Sequence, residues 1–142
     1  MKKKFDFDDI TLIPKYSYAE SRNNCDTSVK FGHMKFSLPV IPANMESIID
    51  SSLAIKLAKN NCFYVMHRFN VNPVLFTFDM HKLGLYSSVS IGVNSDSYDI
   101  IDLFVKENLC PEYITIDIAH GHCVKMKKMV KYVKEKLPNT FL

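Results

Sequence analysis

One regularity constrains this chain more than any other feature. Four short apolar runs, "SLPVIPA" near Val40, "CFYVMH" near Val65, "SSVSIGV" near Ser90 and "EYITIDIA" near Thr115, have centres about 25 residues apart. That interval holds one strand, one helix and two short loops. The intervening segments carry helical spacing and helix punctuation. Ser51 or Ser52 is the expected cap of the first, with Leu53, Ile55, Leu57 and Ala58 inward and Asn60-Asn61 at its end. Asn72-Pro73 opens the second and Gly84 stops it. Ser95 or Asp96 starts the third, with Tyr98, Ile101, Phe104 and Val105 inward and Asn108 at the close. The fourth places Met126, Met129, Val130, Val133 and Leu137 on one face and six lysines on the rest. Those lysines read as the solvated face of an amphipathic helix rather than a nucleic-acid footprint.

Repeated βα units with almost continuously apolar strands demand a parallel sheet covered by helices. An open doubly wound sheet and a (β/α)8 TIM barrel both satisfy that demand. No glycine-rich dinucleotide turn follows any strand, which disfavours the first. A barrel needs roughly 250 residues. Here four units are spent by Pro138, and "NTFL" reads as the opening of a fifth strand. The expectation is an α/β chain forming the N-terminal half of a (β/α)8 barrel. Residues 1–36 would be a leader segment packing on the barrel, and residues 37–142 the first four βα units, a fragment of a longer protein.

Composition narrows the class further. The 142 residues are 47% hydrophobic and 23% charged with net charge +3, an ordinary globular balance that suits an anionic small ligand and falls short of a nucleic-acid binder. Three aspartates in "MKKKFDFDDI" stand where a signal peptide needs its apolar stretch, and no run approaches the roughly 20 residues of a membrane span. Cys25, Cys62, Cys110 and Cys123 form no C-x-x-C pair and read as reduced cytoplasmic thiols.

Chemistry in a barrel gathers where strands end. The residues just past the runs are Ala43 to Glu46, His67-Arg68, Gly92 to Asn94, and Asp117 to His122. Three uses of that rim are open. His120-x-His122, with Asp117, Cys123 and His67, offers zinc-ligand chemistry and the reading of a metal-dependent barrel hydrolase. Alternatively, Asp117 accepts hydrogen bonds from a carboxamide or ribose, Gly121 makes room for a flat ring, and Arg68 meets phosphate in an oxidoreductase. In the third, Asp117 caps the next helix and His67 satisfies a polar edge of the core.

The strings "FDFDDITLIPKYSYAESRNNCDTSV", "LPVIPANMESIID", "YVMHRF" and "YITIDIAHGH", in this order, resemble the N-terminal half of the IMP dehydrogenase/GMP reductase family, and its bacterial-type reductases in particular. The resemblance implies a barrel enzyme of purine nucleotide salvage, cytoplasmic and usually homotetrameric, that converts GMP to IMP and ammonia with NADPH. It matches Ser21 and Arg22 to an NADPH contact made across a subunit boundary, and Arg68 to a basic NADPH contact. It sets Asp117, Ile118 and Ala119 beside the nicotinamide and Met45 near the purine. His120 and His122 become loop residues without a catalytic role, and no metal ligand is implied. The family's nucleophilic cysteine loop, its phosphate-binding glycines and its potassium loop have no counterpart here. No residue of this chain is therefore expected to be catalytic, potassium is expected only in the full-length protein, and the chain alone is expected to be inactive. The alternative is a non-catalytic truncated product, either inert or pairing with full-length subunits.

Overall fold

The computed structural model describes residues 3–142; the first two residues of the expected leader lie outside them. A hairpin of β1 (Val29–Phe31) and β2 (Met34–Phe36) comes first, antiparallel with Val29 opposite Phe36. The helices are α1 (Ser51–Lys59), α2 (Pro73–Lys82), α3 (Ser95–Lys106) and α4 (Val124–Lys136), and the strands between them are β3 (Ser88–Ile91) and β4 (Tyr113–Ile116).

β3 and β4 run parallel, in register from Ser88 beside Tyr113 to Ile91 beside Ile116. The run near Val65 adds to the outer side of β3 through a parallel bridge of Met66 to Val89, and the "NTFL" segment adds to the outer side of β4 through Phe141 and Tyr113. Four successive passages of chain thus lie side by side in sequence order, the arrangement that a barrel requires and a doubly wound sheet, with its reversal of strand order, lacks.

The run near Val40 departs from expectation. Among the described residues, 37–43 form no strand, and Val40 and Ile41 are 63% and 53% exposed. Pro39 and Pro42 have no N–H to give a ladder, so the segment forms no strand pairing past Ser37, whose N–H donates to the Asn61 carbonyl at 2.8 Å.

Helix caps follow the chemistry of side-chain acceptors. Asp50, rather than Ser51 or Ser52, caps α1, its Oδ1 accepting the Leu53 N–H at 2.7 Å. Asn72 caps α2 by accepting from both Val74 and Leu75, and Gly84 ends it with φ +68°. Ala54 and Ala58 are the buried residues of α1, while Leu53, Ile55 and Leu57 are half-buried. In α3, Ile101 and Phe104 are fully buried and Tyr98 half-buried, but Val105 is 45% exposed because one further residue swings the side chain off the inward stripe. Met129, Val133 and Leu137 are buried along α4, with Met126 and Val130 half-buried beside them.

An aromatic plug closes the end of the sheet where strands begin. Phe31 packs on Phe63, Tyr113 and Phe141, and Phe36 packs on Phe63 and Tyr113. The Tyr113 hydroxyl donates to the Phe31 carbonyl at 2.7 Å, which ties the hairpin to the sheet. A Cβ on Gly32 would lie 2.7 Å from the Phe141 ring, and Gly32 has φ +59°, so both space and backbone require glycine at this turn. Ahead of the hairpin, Phe7, Leu12 and Tyr18 are 90% or more exposed. With the start of the strands sealed, the opposite end is the open one.

Candidate functional site

Because the strands are parallel, their exits share one rim, and three of these exits meet in direct contact. The Asp117 N–H donates to the Ile91 carbonyl at 2.8 Å, extending the ladder one residue past β4 and fixing the aspartate's backbone. Its carboxylate Oδ2 lies 3.6 Å from Arg68 Nε, with both side chains 37% exposed. The Arg68 guanidinium also sits over the Phe69 ring, 4.8 Å from its centroid. Gly92 lies beneath that guanidinium: a Cβ there would be 3.8 Å from Arg68 Nη1. Among the described residues no hydrogen bond is donated to the Asp117 carboxylate, so its oxygens face solvent as acceptors beside a single positive charge.

His67 is 6% exposed and its Nδ1 accepts the Phe69 N–H at 3.3 Å, so it serves the turn that carries Arg68 and Phe69 outward. Cys123 caps α4, its Sγ accepting the Met126 N–H at 3.5 Å. Asp117 is therefore not the cap of the following helix, contrary to one of the readings of the sequence; the loop between them is too long for a residue at the strand exit to reach that position. Ile118 is half-buried, and Ala119, His120, Gly121 and His122 are exposed. Gly121, His122, Cys123, Val124, Met126 and Lys127 line an open depression of about 470 Å³. Among the described residues no three of His, Cys, Asp and Glu are placed to hold a metal ion, so the His120-x-His122 pair gains no third ligand.

Met45 stands 55% exposed on the same rim and lines, with Glu46, Ser47 and Phe69, a second open depression of about 570 Å³. Asn70 holds these two loops together: it adopts φ +54°, and its Nδ2 donates to Glu46 Oε1 at 3.0 Å. Ser21 and Arg22 precede the hairpin in the chain. Ser21 caps a short 3-10 turn, Arg22–Asn24, through the Asn23 N–H, and both residues are exposed. No hydrogen bond or ion pair joins them to the rim among the described residues.

The structure thus brings Arg68 to Asp117, keeps Ile118 and Ala119 adjacent, and places Met45 across Phe69 from them. Of the residues this site adds, Phe69 and Asn70 were not among the strand-exit residues read from the sequence, whereas Glu46 was. The apolar Phe69 next to a rim arginine is the one legible signal among them.

Comparison with known proteins bears on the chain as a whole. A family model described as IMP dehydrogenase / GMP reductase domain matches residues 4–74. A GMP reductase of Lactobacillus acidophilus is 57% identical over 139 residues, which is 97% of this chain and 42% of that protein. A GMP reductase of Acidovorax sp. is 51% identical over 138 residues, with the same coverage of both chains. The crystal structure of inosine 5' monophosphate dehydrogenase from Legionella pneumophila superposes with a TM-score of 0.73 at 25% identity, over 94% of this chain and 41% of that one. The chain spans about two fifths of the length of the relatives it matches.

Proposed function

The chain belongs to the IMP dehydrogenase/GMP reductase family, and from that premise we propose that it is the N-terminal portion of a GMP reductase, contributing the cofactor side of a site for reductive deamination of GMP to IMP and ammonia. Its fold is the N-terminal sector of a (β/α)8 barrel, with residues 1–36 as leader and 37–142 as the first βα units. The observation that carries the proposal is the Arg68–Asp117 pair on the rim where strands end, with a carboxylate that takes no hydrogen bond from the described residues.

The residues present fit a nicotinamide dinucleotide. Asp117 accepts N–H donors of a carboxamide, and Arg68 offers two parallel N–H groups to a phosphate. Ile118 and Ala119 form an apolar floor, and Met45 faces the purine nucleotide across Phe69. NADPH, when bound, supplies the hydride of the reaction. Ser21 and Arg22, both exposed, are assigned a contact to a neighbouring subunit's cofactor, which the proposed homotetramer would supply. The nucleophilic cysteine and the potassium loop belong to segments that this chain does not include, and the proposed location is the cytoplasm.

The test is a fluorescence titration of the purified chain with NADPH, beside an assay of GMP-dependent NADPH oxidation. Binding without turnover is expected, and Arg68→Ala should weaken that binding by about tenfold or more, the loss of a charge-assisted contact. Absence of binding, or binding indifferent to Arg68→Ala, overturns the cofactor assignment. Turnover by the chain alone overturns the absence of catalytic residues.

A further inference from the structure

We propose that Gly92, held in place by Ser97, is a positioning residue for the Arg68–Asp117 pair: its bare backbone is the passage over which the arginine crosses the sheet. The inference rests on the cofactor reading for its consequence but not for its geometry.

The sheet order places the exit of the Val65 run, the exit of β3 and the exit of β4 side by side. Arg68 and Asp117 follow the outer two of these passages, so two strand spacings, about 10 Å, separate their backbones. Only a long side chain spans that gap, and it must pass above the exit of β3, where Gly92 stands. A Cβ at Gly92 would lie 3.3 Å from Ser97 Oγ, 3.8 Å from Arg68 Nη1 and 4.0 Å from Arg68 Cζ. Its φ is outside the left-handed region, so conformational freedom is not what calls for glycine. Space is. A single methyl group squeezes Ser97, while a branched side chain has to send a carbon toward either the Ser97 hydroxyl or the guanidinium.

Ser97 fixes the height of this passage. It is 2% exposed, lies in the first turn of α3, and its Oγ accepts the Gly92 N–H at 3.1 Å. On the other side, the Asp117 N–H holds the carbonyl of Ile91, the residue before Gly92. The backbone under Arg68 is therefore pinned from the helix and from the adjacent strand. A shift of Gly92 would change the distance between arginine and carboxylate without touching either charge.

The experiment is a double-mutant cycle on the isotope-labelled chain, read first without ligand. In the unmodified background, Asp117→Asn should shift the Arg68 Nε–H resonance. In a Gly92→Val background the same substitution should leave that resonance unmoved, because the guanidinium no longer reaches the carboxylate. Gly92→Ala, whose Cβ meets Arg68 at an ordinary contact distance, should retain most of the shift, which keeps the test alive if the valine variant fails to fold. Ser97→Ala should reduce the shift, and Ser97→Thr, which keeps the acceptor, should restore part of it. NADPH is the probe for the consequence: Gly92→Val should weaken its binding by about tenfold in the unmodified background and leave it unchanged in an Arg68→Ala background. Equal effects of Gly92→Val in both backgrounds, or an undiminished Arg68 response to Asp117→Asn, would overturn the inference. A chain that binds no NADPH sinks the cofactor reading instead, and the ligand-free resonance still decides the role of Gly92.

Discussion

Replacing Asp117 by Asn separates what the aspartate does for the fold from what it does for a ligand. Its partner Arg68 Nε lies 3.6 Å away, and both side chains are more than one third exposed. At that distance two unit charges attract by about 1 kcal/mol in bulk water, and ordering two side chains offsets part of this, so exposed pairs contribute about 0.2–1 kcal/mol. The substitution leaves the backbone N–H to the Ile91 carbonyl in place and keeps the shape of the side chain. Stability should therefore fall by less than about 1 kcal/mol, roughly 4 °C or less in Tm for a chain of this size. A ligand loses more. The asparagine still accepts a hydrogen bond but without the charge, a difference of about 1–1.5 kcal/mol, or roughly 5- to 13-fold in Kd. Urea unfolding followed by circular dichroism gives the first quantity, and NADPH fluorescence titration at fixed ionic strength gives the second. A stability loss above about 3 kcal/mol would mean that the rim carboxylate is a structural group. Unchanged NADPH affinity would mean that the carboxylate does not face the cofactor. Either result refutes the reasoning.

Other perturbations test other parts of the structure. The Tyr132 hydroxyl, which donates to Asp102 at 2.6 Å, holds the Asp102 carboxyl below its ordinary 3.8, and Lys136 adds to the effect; the same bond pushes the Tyr132 phenol up to about 12. The carboxyl's contribution to stability is present above 3.8 and lost as pH falls through the depressed value, while the phenol's is present below 10 and lost as pH rises toward 12. In Tyr132→Phe, nuclear magnetic resonance titration should find Asp102 moved back toward its ordinary value. Tyr113→Phe should cost about 1 kcal/mol in urea unfolding by removing the tie to the Phe31 carbonyl. At Asn70, with φ +54°, Gly should be tolerated and Val should cost about 1–2 kcal/mol more than Gly in thermal unfolding, since a β-branched residue resists that backbone. Cys123→Ser should raise the urea midpoint by an equivalent of about 0.5 kcal/mol, because a hydroxyl caps the Met126 N–H better than a thiol.

Most of the fold is written in the 25-residue period, because burial on both faces of a parallel sheet forces runs of apolar residues at that spacing. The runs near Val65, Ser90 and Thr115 and the closing "NTFL" all become neighbouring passages of one sheet. The period is blind to backbone donors, however, and so it ranked "SLPVIPA" with the others although two prolines interrupt its ladder. Asp50 was hidden for a different reason. Ser51 and Ser52 are equally good capping types, and only the geometry of the first turn chooses the residue whose oxygen reaches the Leu53 N–H. Val105 has the right character for a core, but on α3 it follows Phe104, and two consecutive positions cannot both occupy the centre of one stripe.

The site was legible as a rim and not as a pair. Arg68 and Asp117 each stood out by following a strand, yet nothing in a linear chain says that one reaches the other. Contact comes from the repeat itself. Arg68, Gly92 and Asp117 are each about one period apart, so a parallel sheet in sequence order sets them side by side on successive strand exits, arginine and aspartate outermost and glycine between. At about 4.8 Å per strand, residues one period apart touch through short side chains. Two periods apart, they touch only through a long side chain and only if the position between them is empty. In a chain built from βα units the period therefore carries information on contacts as well as on fold, and a glycine midway between two opposite charges on the exit rim marks where they can meet.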